Sequence, residues 1–118
     1  MSFPVEIWLR GDNHATTDTI APVAREPRAW TDADVVHVLE EMLRALERAK
    51  HPDRPRDRPV ALRGFSWIVE PAHEGVVIAI EIPSGAAVAG PFRIEQPRLD
   101  GLIARVIAAA RASRPVVH

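Results

Sequence analysis

The chain has 118 residues, 47% of them hydrophobic, which suits one domain (1–118) able to bury its own core. It contains no cysteine, which excludes disulfides, thiol nucleophiles and thiolate metal sites and leaves only His and carboxylates for metal or acid/base chemistry. With 15 Lys and Arg against 16 Asp and Glu, no global field draws the chain to nucleic acid or to an anionic membrane.

Phe3, Val5, Ile7 and Leu9 alternate with Pro4, Glu6, Trp8 and Arg10, the period of a strand with one buried face. A signal peptide would carry a continuous apolar region here, and no apolar run approaches the ~20 residues that span a bilayer, so a cytoplasmic protein is expected. Residues 11–30 show no periodicity, contain Pro22 and Pro27 and a polar cluster from Asp12 to Thr19, and read as one long loop. A loop of that length is either functional or disordered as a rule. The tripeptide Arg10-Gly11-Asp12 carries no weight as an adhesion signal. The basic residues are 14 Arg and one Lys in a chain rich in Ala, Pro and Val, a bias expected from a GC-rich bacterial genome.

Residues 30–52 specify an amphipathic helix. Thr31 and Asp34 fit a capping box, Trp30 and Val35 a hydrophobic staple, and Val35, Val38, Leu39, Met42, Leu46 and Ala49 recur as one stripe until Pro52 stops the helix. The predicted helix runs from about Asp32 to Lys50. Residues 52–59 hold three prolines among alternating charges and read as a solvated, mobile connector.

A strand is predicted over residues 60–70, with a bulge at Gly64, where the apolar phase switches from Val60 and Leu62 to Phe65, Trp67 and Val69. Residues 70–75 have turn composition, and the apolar strand 76–82 completes an antiparallel hairpin. Residues 83–91 read as a small-residue loop and 92–94 as a short edge strand. Pro97 suits the first turn of a second helix running to about Ser113, with Leu99, Leu102, Ile103, Val106, Ile107 and Ala110 as its stripe and Pro115 as its end. The order β-α-β-β-(β)-α predicts a two-layer α+β domain, a mixed three- to four-stranded sheet with two helices on one face.

Three functional readings follow. Were the first two strands parallel neighbours, Asp12 and His14 would share a sheet edge with His73 and Glu74, where a catalytic or metal-assisted site for a small molecule could form. No metal or cofactor motif is present, and Asp32 and Asp34 at the first helix start would repel a phosphate. Arg63, Phe65 and Trp67 interleave a base with aromatics as a nucleic-acid stacking platform does, although aromatics make up only 5% of the chain and the cationic funnel is missing.

The third reading is a protein interface. Strand 76–82 is apolar on both faces, yet two helices cover one face of a small sheet. The other face should expose Val77 and Ala79 with Trp8, rimmed by Glu6, Arg10 and Glu81. The second helix adds an outward line of Ala104, Ala108 and Ala112 at four-residue spacing. The reading preferred on these grounds is a cytoplasmic interaction module, a homodimer without cofactor or catalysis. The competing expectation is that the second helix or the 11–30 loop folds over the patch.

Overall fold

The computed structural model describes residues 2–20, 23, 25–53 and 60–112. Strands β1 (Phe3–Leu9) and β2 (Thr16–Ile20) are followed by a 3-10 turn (Pro27–Ala29) and helix α1 (Asp32–Lys50). Strands β3 (Ser66–Ala72), β4 (Gly75–Ile82) and β5 (Gly85–Phe92) then lead to helix α2 (Gln96–Ala112). Among the described residues the strands form one sheet in the order β2-β1-β5-β4-β3, and every neighbouring pair is antiparallel. Two helices over one sheet make a two-layer α+β fold.

This corrects the expected sheet in three respects. It has five strands where three or four were expected, and it is antiparallel where a mixed sheet was expected. The neighbours of β1 are β2 and β5, not the strand that follows α1. Part of the expected 11–30 loop is β2, which folds back on β1 with Thr17 opposite Glu6. Most of the expected 83–91 loop is β5, the central strand, whose Ala87 and Ala89 are completely buried. The expected bulge at Gly64 lies before β3 begins. The ladder irregularity is between β4 and β5, where Gly90 and Pro91 stand opposite Val77 alone, two residues against one. Residues 54–59 of the expected 52–59 connector, and the expected helix stop at Pro115, lie outside the described residues.

Helix α1 has the predicted limits, and its cap is formed in both directions. Thr31 Oγ1 accepts from the Asp34 backbone N–H at 3.5 Å, and Asp34 Oδ2 accepts from the Thr31 backbone N–H at 2.9 Å. The stripe Val35, Val38, Leu39, Met42 and Leu46 is fully buried against the sheet. Trp30, Phe3 and Phe92 meet edge to face with centroids 4.8 to 6.0 Å apart, and the Trp30 indole N–H donates to the Arg25 carbonyl, so the polar tip of this core Trp is satisfied. Polar bonds tie the layers together: Arg48 of α1 to Asp18 of β2, Gln96 Nε2 to the Val69 carbonyl, and Arg98 to the Trp30 carbonyl.

Both helices pack on the face that carries Phe3, Val5, Ile7, Val69, Val76, Ile78, Ile80, Ala87 and Ala89. The other face receives neither. No described helix is long and apolar enough to cross a membrane.

Candidate functional site

Strand alternation sends Pro4, Glu6 and Trp8 of β1 away from the helices, and the ladder registers extend that face across the sheet. One cross-strand row reads Thr17, Glu6, Val88, Ala79, Ile68, each residue paired with the next. The next row toward the β4–β5 turn reads Trp8, Ala86, Glu81, Ser66. Val77, paired with Glu70, lies on the far side of the first row. The six residues expected at an interface, Trp8, Val77, Ala79, Glu6, Arg10 and Glu81, thus fall on one face or its end.

Trp8 is 47% and Ile68 51% exposed, the two large apolar side chains most open to solvent among the described residues. Among the described residues, neither the second helix nor the 11–30 segment covers this face, contrary to the competing expectation. Helix α2 packs with α1 and β3 on the opposite side, and residues 16–20 extend the sheet at its edge. The resulting surface has small residues in the middle, Ala86, Val88 and Ala79, with Trp8 on one flank and Ile68 on the other. Carboxylates of Glu6, Glu70 and Glu81 stand among them, and Arg10 lies at the end where its backbone N–H donates to the Ser84 carbonyl. At that end a concavity of about 660 Å³ opens between Trp8, Arg10, Phe65, Ser66 and Glu81.

Sequence reasoning missed Ile68, Val88 and Ala86. Ile68 had a signal, since it holds the opposite phase from Trp67 and Val69 and therefore must leave the core face. Val88 and Ala86 had none while 83–91 read as a loop.

The proposed catalytic edge does not assemble. Leu9 pairs with Gly85, so Asp12 and His14 follow β1 out beside the Pro83-Ser84 turn. His73 and Glu74 form the β3–β4 turn, next to Val76, which pairs with Phe92 at the other end of β5. A strand of this length separates the two turns by about 24 Å. The antiparallel sheet is the reason: convergence required β1 parallel to the strand after α1. All four side chains are exposed, and no group of three or more metal-ligating residues occurs among the described residues.

Arg63, Phe65 and Trp67 do not form a stacking platform either. Trp67 pairs with Ile80 on the helix side, and both aromatics are half-buried against the core, while exposed Arg63 precedes the strand. On α1, His37 is half-buried with Nε2 enclosed and without a hydrogen-bond partner among the described residues. His51 caps α1, its backbone N–H donating to the Glu47 carbonyl at 2.8 Å. Ala104, Ala108 and Ala112 are exposed along α2.

Two carboxylates at the start of α1 are electrostatically distinctive. The Asp34 carboxyl is held below the ordinary carboxylate range first by the Thr31 backbone N–H, with burial opposing and the Thr31 hydroxyl and Arg25 adding to the effect. The Asp32 carboxyl is likewise lowered, chiefly by the hydrogen bond from Arg105. Each has a structural partner, Thr31 and Arg25 for Asp34 and Arg105 for Asp32.

Comparison with protein-family models, with curated proteins and with solved structures finds no match for this chain.

Proposed function

We propose that the protein is a non-catalytic interaction module whose working surface is the open face of its sheet, and that its partner is a second copy of the chain. The exposure of Trp8 and Ile68 on one continuous face carries this reading. Isolated exposed apolar residues are ordinary, but a patch containing Trp and rimmed by carboxylates and Arg has the make-up of an interface centre and its rim.

The dimensions are sufficient. Five strands at ~4.8 Å spacing and ~24 Å length give on the order of 600 Å² per copy. A pair would bury about 1,200 Å², the lower limit of a stable specific interface. The compartment proposed with this reading is the cytoplasm. Light scattering over a dilution series tests the reading. A dimeric mass that dissociates on dilution supports it, and a monomer throughout the micromolar range overturns it.

A further inference from the structure

From the distribution of bulk and charge on the open face, and resting on the homodimer reading above, we infer that the two copies pack with the two-fold axis running along β5. Sheets packed face to face keep their strands within ~30° of each other in the aligned arrangement, so a two-fold axis between them runs either along the strands or across them. The two choices bring different residues together.

An axis across the strands through the centre of the face, over the row Thr17, Glu6, Val88, Ala79, Ile68, places every residue of that row over itself. Glu6 would then meet the partner's Glu6, two carboxylates in a desolvated interface with no cation between them. An axis along β5 exchanges the flanks instead. Glu6 then lies over the partner's Ala79, Ile68 over the partner's Thr17, and no carboxylate faces another.

Size is matched by the same operation. The central strand presents only Ala86, Val88 and Gly90, letting the two sheets approach along the axis. Trp8, one strand to the side, meets the partner's Glu81 on β4, beside the concavity at that end of the face. Its indole N–H is a donor and the carboxylate an acceptor, and Arg10 of the same copy lines the same concavity as Trp8. Glu81 thereby gains a donor from the other copy.

The chain's lack of cysteine allows a direct test with single introduced thiols and a short bismaleimide whose reach matches sheets packed ~10 Å apart. Ala86→Cys lies on the inferred axis and Val88→Cys at the centre of the face. Ile68→Cys would be offset sideways from its counterpart by four strand spacings, about 19 Å, in addition to the ~10 Å between the sheets. The expected result is that Ala86→Cys and Val88→Cys each convert most of the protein to a covalent dimer and Ile68→Cys almost none, each variant keeping the wild-type circular dichroism spectrum. Linking at Ile68 without Ala86 overturns the axis in favour of the crosswise one, and linking at Val88 alone overturns it in favour of crossed sheets. Both outcomes leave the homodimer standing. A wild-type chain that is monomeric by light scattering overturns the axis and the homodimer together.

Discussion

Asp32, the first residue of α1, and Arg105, midway along α2, form a forked ion pair: Arg105 Nε donates to both carboxylate oxygens, at 3.1 and 3.0 Å, and Nη2 donates to Oδ1 at 2.6 Å. The pair lies on the surface and joins the two helices, and its Asp32 sits between the two residues of the Thr31–Asp34 cap. Both carboxyls are lowered from their ordinary values, so the stability they contribute is complete above the unfolded Asp value of about 3.9 and is lost as pH falls through the lower folded values. The urea midpoint should fall as pH drops below about 4, and less steeply in Asp34→Asn than in the wild type. Equal slopes for the two proteins would contradict this assignment.

The cap and the stripe beneath it should separate by magnitude. Thr31→Ala removes one capping hydroxyl and should cost about 1 kcal/mol, whereas Leu39→Ala or Leu46→Ala opens a cavity in a fully buried layer and should cost roughly 2–5 kcal/mol. Chemical denaturation of the three variants checks the ranking, and negligible losses at the two leucines would contradict the packing of α1 on the sheet.

Two glycines should respond with opposite signs to the same substitution. A Cβ at Gly75 would overlap the Phe92 carbonyl oxygen, and its φ of +154° lies where side chains are rarely found, so Gly75→Ala should destabilise the hairpin by more than ~1 kcal/mol. At Gly101, within α2, a Cβ meets nothing within 4 Å, and Gly101→Ala should stabilise by about 1 kcal/mol. Thermal unfolding of the pair checks both directions.

Glu6 should weaken the proposed dimer, because its carboxylate would be taken from water to lie over the partner's Ala79 without a cation. Glu6→Gln is expected to shift dissociation to lower concentration by several-fold. Weaker association of this variant would contradict the placement of Glu6 inside the interface.

The helices were legible because their information is local. Thr31, Asp34 and Pro52 mark the ends of α1, and a 3.6-residue stripe marks its face, whatever the sheet does. The strands that escaped notice depend on tertiary context. β5 reads Gly-Ala-Ala-Val-Ala-Gly-Pro-Phe, a composition poor in strand formers, yet it is central: Ala87 and Ala89 are small enough for α1 to lie directly over them. β2 is Thr-Thr-Asp-Thr-Ile, an edge strand whose Asp18 is directed to Arg48 on α1, a partner 30 residues away that local periodicity does not reveal. The same gap governed the two sites. Trp8 could be placed on the outer face from its alternation with Ile7 and Leu9. The meeting of Asp12 and His14 with His73 and Glu74 depended on strand direction, which no single element encodes.

In the proposed dimer the open sheet face holds two copies together, and Trp8 is its most exposed large side chain but one. The most direct test is the molar mass of Trp8→Glu beside the wild type at equal micromolar concentration, with helix content measured on the same samples. A wild-type dimer and a monomeric variant of unchanged helix content are expected, because a carboxylate replaces the ring at the flank of the interface while the core face of β1 is untouched. A variant that remains dimeric, or a wild type that is already monomeric, would contradict the proposed dimer.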